Sequence, residues 1–358
     1  MLTKLRYIIL LPAVAAGIMA MAQQTDASLL DSINARLSKV EATQTQLRRT
    51  TFLPTVSGYT QVGYNYNEDI TSEFYVKCAR FDVKGNIGTK IDYRILFDIY
   101  KFKCFDVRLS YKPLRQLHIT AGYFKVPFTI GAGRGPLTEE FIDYPLAIRR
   151  LTGYTDVCGI TGGTARDIGV SLSGTLWQHR GVNVLSYAVG VFNGNSSNAK
   201  DDNTSKDVAA KLSVRPIKEL EISASAYMGE YGPKYLKRNR WSTGMEYAGS
   251  LILARAEYIG GSTGTISATD GSRGTFHSDG YYAQIGVKTP CRLTPLIRYD
   301  AVVADTRTDM TESIASAGAL WQPMKHLRLQ GVYSRYFYRN TPGNTDHNQV
   351  HIVVTALF

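Results

Sequence analysis

Segments of about ten residues, in which apolar side chains alternate with polar ones, follow one another through most of the chain. The stretch IDYRILFDIY (91–100) places apolar residues on one face of a strand and Asp92, Arg94 and Asp98 mainly on the other. The stretch FDVRLSY (105–111) follows the same period of two. This length and alternation are typical of membrane-spanning β-strands, whereas the strands of a soluble β-sandwich, the alternative interpretation, are usually shorter.

A proline turn with the pattern x-Pro-aliphatic-basic-x-Leu occurs at KPLRQL (112–117), RPIKEL (215–220) and QPMKHL (322–327). Proline suits a tight turn because its φ is preset, and the leucine begins the apolar face of the next strand. Short turns on one rim and long loops on the other indicate an outer-membrane barrel. The long polar connections are 127–165, 194–206, 230–240, 261–279 and 338–349.

We predict an all-β, 16-stranded antiparallel barrel that crosses a membrane. With this count the three proline turns all follow an even strand and share one rim, while the long loops share the other. Sixteen strands make a barrel wide enough for an aqueous channel. The predicted strands are 57–66, 74–86, 89–100, 103–112, 117–126, 166–177, 182–193, 206–216, 220–229, 240–249, 251–260, 280–289, 295–303, 313–323, 327–338 and 349–358.

The first 22 residues have the pattern of a cleaved signal peptide. Lys4 and Arg6 precede an apolar run, and the small-residue site AMA (20–22) would leave Gln23 as the first residue of the mature protein. A membrane helix is the alternative interpretation, but the run is short for one. We therefore expect export to the outer membrane of a Gram-negative bacterium.

Residues 23–50 are predicted to form a helix, because Leu30, Leu37 and Gln44 recur seven apart with other apolar residues between them. Such a short heptad pattern does not hold a coiled coil by itself. Two interpretations of this helix remain open. It could associate with the same helix of other copies beside a larger oligomer, or it could be a single amphipathic helix that rests on the body of the protein. Residues 51–56 are predicted to be a linker, and 57–358 the barrel.

The formal charge of +11 comes from lysines and arginines scattered along the chain, a distribution that favours an anion-attracting surface over a nucleic-acid interface. The 23 tyrosines suit a membrane interface. The six histidines are dispersed, with no HExxH motif and no metal-ligand spacing. We therefore expect no enzyme, no cofactor, no metal site and no nucleic-acid partner.

Alternation places Arg80, Arg94 and Arg108 on the inner faces of the second, third and fourth strands, at similar heights. Guanidinium groups stay charged and bind phosphate or carboxylate with a rigid fork, so a wall of them would concentrate anions. Carboxylates share these faces, and cross-strand pairs that only stiffen the wall are an equally open interpretation. Phe105 is assigned to the outer face. Further inward candidates are the basic residues Arg255, Arg298 and Arg328 and the carboxylates Asp82, Asp92, Asp98 and Asp106.

The longest connection, after the fifth predicted strand, is too long to be a plain link. It carries Glu139 and Glu140 in its middle and Arg149 and Arg150 further on, which would give a constriction an acidic side and a basic side. Lys125, at the root of this loop, points outward by strand parity. A twist or bulge is therefore needed to bring its amine into the lumen.

The four cysteines of an exported chain allow disulfides in three pairings. Cys78 and Cys104 lie on strands that are not neighbours, and the long third loop could bring Cys158 near either of them. Cys291 lies at the opposite rim and is expected to be unpaired. One disulfide and free buried thiols both remain open.

The stretches CARFDVKGNIG (78–88), GYFKVPFTI (122–130), RDIGVSLSG (166–174) and VFNGNSS with the following DDNTSKDVAAKLSVRP (191–216) occur in this order. Together they resemble the phosphate- and pyrophosphate-selective porins, the O/P porin family. The resemblance implies a 16-stranded outer-membrane barrel, commonly trimeric, whose long third loop folds into the channel and narrows it. It also implies that a line of arginines and a few lysines carries anions through the channel.

By this resemblance Lys125 matches the lysine of the GYFKVPFTI motif, and the terminal Phe358 matches the signal that the barrel-insertion machinery reads. We predict a porin through which small hydrophilic solutes diffuse passively, with a preference for anions and with phosphate as one candidate. A plugged or structural barrel whose loops bind a partner is the alternative, and a soluble secreted β-protein is a third. The expected partners are membrane lipid, the solutes, two further copies in a homotrimer, and the insertion machinery.

Overall fold

The computed structural model describes residues 33–40, 54–68, 70–160, 163–195 and 200–358. Each strand in these ranges pairs antiparallel with its neighbours in sequence, and β1 also pairs with β16, so the sheet closes into a 16-stranded barrel as predicted. The strands are β1 Thr55–Asn67, β2 Thr71–Ile87, β3 Ile91–Asp98, β4 Lys103–Leu114, β5 Leu117–Lys125, β6 Arg166–His179, β7 Val182–Phe192, β8 Asp207–Ile217, β9 Leu220–Tyr231, β10 Leu236–Ala248, β11 Ile252–Ile266, β12 Arg273–Val287, β13 Leu293–Asp305, β14 Met310–Met324, β15 Leu327–Arg339 and β16 His347–Leu357.

The predicted strand boundaries differ most at the connection 261–279, which was expected to be a loop. There β11 continues to Ile266 and pairs with Arg273 at the start of β12, so the hairpin extends well beyond the apolar part of both strands. Backbone pairing continues where most residues of both strands are polar or glycine. Alternation of apolar residues reports only the part of a strand that faces lipid.

The barrel closes at the last residue of the chain. The backbone N–H of Gly58 donates to the carbonyl of Phe358 at 2.9 Å, and the N–H of Phe358 donates back to Gly58 at 3.0 Å. The Phe358 ring lies edge-on against Phe81, with ring centroids 5.4 Å apart. A strand that ends the chain is therefore paired along its length, and it leaves no free edge at this seam.

The loop between β5 and β6, residues 126–165 and here called loop 3, packs against the inner wall. It contains two short helices, α2 (Ile130–Gly133) and α3 (Leu146–Leu151), after the helix α1 at 33–40. Apolar side chains of loop 3 form a buried cluster with wall residues that include Ile259, Tyr282 and Val302. Loop 3 therefore covers the inner faces of β11–β13, whereas Lys84, Arg94 and Arg108 of β2–β4 keep part of their side chains exposed.

The N-terminal part forms a separate unit that ends at Leu53. Within it, residues 33–40 are helical, with Leu37 and Val40 exposed. The predicted signal peptide, the rest of the predicted helix and most of the predicted linker lie outside the described residues. No helix of the described chain is long and apolar enough to cross a membrane.

Candidate pore lining and constriction

Three cationic side chains stand level on the inner wall of neighbouring strands. Lys84 of β2 is directly opposite Arg94 of β3, which is opposite Arg108 of β4. We call these three residues the basic row. The period of two in each strand turns all of them inward, and the register of the two ladders puts them at one height.

A row of carboxylates lies next to the basic row on the same wall. Asp82 and Asp106 flank Leu96 in register. The Arg94 guanidinium contacts both of them, with Nε 2.8 Å from Asp82 and Nη1 3.0 Å from Asp106. Lys84 lies 2.7 Å from the same Asp82. Cross-strand ion pairs therefore fix the orientation of the row, as the second interpretation of these arginines proposed.

The cations of this wall project further into the lumen than the carboxylates do. Lys84, Arg94 and Arg108 expose 53%, 28% and 31% of their side chains, against 11% for Asp82 and 4% for Asp106. A dissolved ion that passes this wall therefore meets positive charge first. Long cationic side chains reach past short carboxylates that start from the same backbone.

Arg80 does not stand level with the basic row, contrary to the expectation of similar heights. It pairs in register with Asp98, four residues beyond Arg94 on β3, and its Nε lies 3.3 Å from that carboxylate. Arg80 therefore lies two inner-facing positions away from Arg94 along the barrel wall. Arg108, in contrast, lies 3.9 Å from Asp92, which Lys112 holds more closely at 2.5 Å, and it donates to Ser110 Oγ at 3.1 Å.

The assignment of Phe105 to the outer face was wrong. Asp106 pairs with Leu96 while Cys104 pairs with Phe97, which leaves Phe105 as the extra residue of a β-bulge. The bulge turns the ring inward, and it is almost completely buried. The ring centroid lies 3.8 Å from the guanidinium carbon of Arg80 and 5.2 Å from that of Arg166, so one aromatic ring contacts two cations.

Arg166 was not among the predicted site residues, although it opens the RDIGVSLSG stretch. It is the first residue of β6 and is buried, with Nε 3.1 Å from Asp106. Parity along β6 places it on the outward side, where Ile168 and Val170 are exposed. Only the distortion of the wall at the root of loop 3 brings it inside, and no pattern in the sequence marks that distortion.

Three predicted pore arginines point inward as expected but are covered by loop 3. Arg255 contacts Glu139 at 2.6 Å and Glu140 at 2.9 Å. Arg298 contacts Asp300 at 2.7 Å and donates to the carbonyl of Asp143 at 2.9 Å. Arg328 donates to the carbonyls of Leu137 and Glu139. All three are buried. They fasten the loop to the wall and do not face the open lumen.

The constriction does not have the separate acidic and basic sides that were expected. Glu139 and Glu140 also contact Arg134, at 3.8 Å and 2.5 Å, and Arg134 reaches Glu246 of β10 at 2.5 Å. The acidic side is thus largely neutralised within the loop and wall. Burial raises the pKa of Glu139, and the neighbouring Arg255 acts in the opposite direction.

The two arginines of α3 also differ from the expected basic side. Arg149 is mostly buried between loop and wall, where nearby Tyr336, Asp143 and Glu312 counteract the effect of burial and its pKa is raised. Arg150 lies 3.7 Å from Glu312 of β14 and donates to the carbonyl of Thr155. Arg150 keeps 34% of its side chain exposed.

Lys125 lies inside the barrel, although the alternation along β5 would point it outward. The end of β5 is therefore distorted, as the sequence required. Its amine donates to the carbonyls of Ala132 and Arg134 in loop 3. Gly122, three residues earlier in β5, has φ of 125°, a conformation that only glycine adopts readily. The local change of direction turns the end of β5 toward the lumen. Lys125 therefore ties down the first turn of loop 3 and is not free to meet a solute.

A second fastening holds the middle of loop 3. Asp143 lies 3.2 Å from Lys77 of β2 and 3.1 Å from Nδ1 of His351 of β16. Burial alone would raise the pKa of the Asp143 carboxyl, but the charge of Lys77 and the bond from His351 outweigh it and hold the pKa well below its usual range. Neither Lys77 nor His351 was among the predicted site residues.

In the described structure Cys78, Cys158 and Cys291 form no disulfide. Burial raises the pKa of the Cys158 thiol in loop 3 to about 12, so it is an inert thiol at neutral pH. Among the described residues, no group of three or more His, Cys, Asp or Glu side chains is placed to hold a metal ion.

Solved outer-membrane proteins share this fold at low sequence identity. An anion-selective porin from Comamonas acidovorans matches with a TM-score of 0.62 and 11% identity, over 86% of this chain and 99% of that one. OmpT of Vibrio cholerae in its trimer form matches with a TM-score of 0.59 and 11% identity, over 86% of this chain and 99% of that one. The channel DcaP of Acinetobacter baumannii matches with a TM-score of 0.60 and 14% identity, over 85% of this chain and 97% of that one.

No curated protein shows significant sequence similarity to the chain. A family model, in contrast, matches almost the whole barrel. The model describes phosphate-selective porins O and P, and it aligns with residues 56–357. The chain therefore belongs to the family of phosphate-selective porins O and P.

Proposed function

We propose that the protein is an outer-membrane channel of a Gram-negative bacterium, through which small hydrophilic solutes diffuse passively with a preference for anions. The single observation that carries the preference is the exposure of the basic row in front of recessed carboxylates. Loop 3 narrows the lumen opposite this wall, so that a passing ion comes close to the row. Family membership and the closed barrel support a channel rather than an enzyme.

The size of the effect follows from Coulomb's law. A unit charge about 7 Å from a permeating ion changes its energy by roughly 0.6 kcal/mol in water, which is close to RT and corresponds to a factor of about three in permeability. Two such charges give a factor of about ten at low salt. Screening reduces this factor, because the Debye length falls from about 10 Å at 0.1 M salt to about 3 Å at 1 M.

The test is the reversal potential of single channels in a planar bilayer under a salt gradient. We expect the wild type to favour chloride over potassium, and the double variant Arg94→Ala, Arg108→Ala to shift toward cations. The matched control is Arg335→Ala, which removes an arginine on the outer surface of β15. An unchanged reversal potential in the double variant would assign Arg94 and Arg108 a structural role only.

A plugged barrel is the second candidate, because ion pairs fasten loop 3 to the barrel wall at Arg134, Asp143 and Asp156. The same bilayer experiment separates the two candidates. Discrete current steps support the channel, whereas their absence in correctly folded protein would leave the plugged barrel. Comparison of chloride, sulfate and phosphate in the same channels would then rank the anions.

We further propose that residues 1–22 are removed as a signal peptide, that Phe358 is read by the insertion machinery, and that the protein forms a homotrimer. One structural relative, OmpT of Vibrio cholerae, is described in a trimer form, which supports the last point. N-terminal sequencing of the mature protein should begin at Gln23. A sequence that begins at Met1 would contradict cleavage.

A further inference from the structure

Three aromatic rings lie nearly parallel on the inner wall of the barrel, close to the long-loop rim. Tyr336 and Tyr338 are successive inner-facing residues of β15, and His347 of β16 is directly opposite Tyr336 in the ladder. The ring centroids of Tyr336 and His347 are 4.5 Å apart with their planes at 14°, and those of Tyr338 and His347 are 5.8 Å apart with their planes at 26°. We call these three rings the aromatic platform.

The aromatic platform is held by loop 3 and by the wall, and it is open toward the rim. Tyr336 packs against the buried cluster of loop 3, and its hydroxyl donates to Oε1 of Gln349 at 3.0 Å. The ring of His347 is buried beside it. Tyr338, one inner-facing position nearer to the rim, is only half-buried. Its backbone N–H donates to Asp346 at 2.8 Å, whereas its hydroxyl has no hydrogen-bond partner among the described residues. Tyr338 therefore presents aromatic surface to the mouth of the lumen.

A cation and a carboxylate flank Tyr338. Glu312 of β14 is directly opposite Tyr338 in the ladder, and Arg150 of α3 reaches Glu312 from loop 3. The Nε of Arg150 lies 3.7 Å from Oε2 of Glu312, which is too long for a hydrogen bond, and this Nε has no other partner in the described part of the chain. Arg150 and Glu312 expose 34% and 21% of their side chains. A donor and an acceptor therefore stand beside the ring with capacity for a third group.

An aromatic ring with one charged donor and one charged acceptor beside it suits a sugar. A pyranose has a face of C–H groups, which packs against an aromatic ring, and a rim of hydroxyls, each of which can donate and accept. A guanidinium and a carboxylate bind such hydroxyls together, one as donor and the other as acceptor. The charges of Arg150 and Glu312 cancel, so this site does not favour an anion as the basic row does. Stacked rings are also rigid, which reduces the entropy cost of binding.

We propose that the aromatic platform is a binding site for a neutral sugar, whose C–H face stacks on Tyr338 and whose hydroxyls bridge Arg150 and Glu312. This inference rests on the proposed channel and names one class of its solutes. The site lies on the long-loop side of loop 3, so a bound sugar is held where the lumen begins to narrow. Binding at such a place has to be weak enough for the solute to leave again.

Block of the ion current by sugars tests the site. Single channels in a planar bilayer are recorded in potassium chloride while glucose, maltose or maltotriose is added to both sides. We expect a saturable reduction of the current, strongest for maltotriose, because a longer sugar covers more of the platform. Tyr338→Ala should raise the half-blocking concentration about tenfold, the loss expected for one ring contact, whereas Tyr338→Phe keeps the ring and most of the affinity. The matched control is Phe337→Ala, which removes the exposed neighbouring ring on the outer face of β15.

Glu312→Gln is the second variant, for the case that loss of the Tyr338 ring disturbs folding. It preserves the size of the side chain and removes the charged acceptor, so the half-blocking concentration should rise several-fold. The same half-blocking concentration in the wild type, Tyr338→Ala and Glu312→Gln would overturn the site. A current that falls in proportion to the sugar without saturation, as viscosity alone requires, would do so too. Block by benzoate but by none of the sugars would overturn the assigned class of solute.

Titration calorimetry of maltotriose with the folded protein in detergent keeps this proposal apart from the channel. Binding that is lost in Tyr338→Ala, by a protein that shows no current steps, would support the sugar site and remove the channel. Current steps from a protein that binds none of the sugars would remove the sugar site and leave the channel.

Discussion

Asp82 accepts from two cations at once, and its position influences which charge reaches the pore. Its carboxylate lies 2.8 Å from Arg94 and 2.7 Å from Lys84, and most of it is buried behind them. In this arrangement the aspartate orients the cations and at the same time reduces the potential that they produce. The selectivity of the wall is thus the difference between projecting and recessed charges.

Replacement of Asp82 by Asn should therefore increase the preference for anions. The amide keeps a polar side chain of similar size but removes one negative charge beside the pore. We expect the anion-to-cation permeability ratio to rise by a factor of about seven at low salt, because one unit charge at about 7 Å changes the energies of anion and cation by roughly 0.6 kcal/mol in opposite directions. Reversal potentials measure the ratio, and Asp279→Asn, on the outer face of β12, is the control. A fall in the ratio would show that the aspartate mainly holds the basic row in place.

Asp143 gives loop 3 a pH dependence of definite sign. Its pKa is depressed in the folded protein, so its ion pairs stabilise the fold above the ordinary carboxyl pKa of about 4 and are lost as the pH falls through the lowered value. The side chain still contacts water in the lumen, which limits the contribution to about 1 kcal/mol. Thermal unfolding in detergent should therefore show Asp143→Asn less stable than the wild type at pH 7.

The same difference should disappear at strongly acidic pH, where the wild-type carboxylate is protonated as well. Asp202→Asn, in the connection between β7 and β8, serves as the control and should match the wild type at both pH values. A difference between Asp143→Asn and the wild type that grows on acidification would contradict the assigned direction.

At the scale of the strand, one glycine determines how β5 delivers the chain to loop 3. Gly122 has φ of 125°, and a side chain there would collide with the carbonyl oxygen of Val107. Gly122→Ala should cost about 2–3 kcal/mol or more, through backbone strain and the displaced neighbouring strand. The matched control is Gly331→Ala on β15, where a Cβ meets open space and φ is ordinary.

Heat-modifiability on gels measures this cost as the temperature at which the barrel loses its compact form. We expect the midpoint to fall clearly in Gly122→Ala and to stay at the wild-type value in Gly331→Ala. Equal midpoints in the two variants would mean that β5 can pass from the wall into loop 3 without this glycine.

The sequence predicts strands well where lipid contacts them and poorly where it does not. Period-two alternation located all sixteen strands, because each must present an apolar face to the membrane. It failed at Phe105, Lys125 and Arg166, which lie beside a bulge or at the root of loop 3. One extra residue reverses the parity of all that follows, and the side chains carry no mark of it.

The sequence also did not show which of the inner arginines line the open lumen and which are covered by loop 3. Arg94 and Arg255 have the same inward parity, yet one lines the open lumen and the other is buried under loop 3. The difference depends on which wall the loop covers. That choice arises from contacts such as Asp143 with Lys77 and His351, which are far apart in sequence. Alternation gives the direction of a side chain but not what lies in front of it.

At the scale of the whole molecule, Phe358 at the seam between β1 and β16 has two roles. The Phe358 ring covers Gly58 and packs against Phe81, so it contributes to closure of the barrel. As the terminal aromatic it is also the proposed signal for the insertion machinery. A loss of the ring would affect stability in the first role and delivery to the membrane in the second.

Two variants separate these roles. Phe358→Ala and Phe81→Ala each remove the same ring contact, so both should lose a similar stability of about 1 kcal/mol, since the ring of Phe358 remains half exposed. Only Phe358→Ala removes the terminal aromatic. We therefore expect it alone to lower, several-fold, the amount of folded barrel in the outer membrane of growing cells. Equal losses in both variants would attribute the effect to closure of the seam, and the proposed signal would then be discarded.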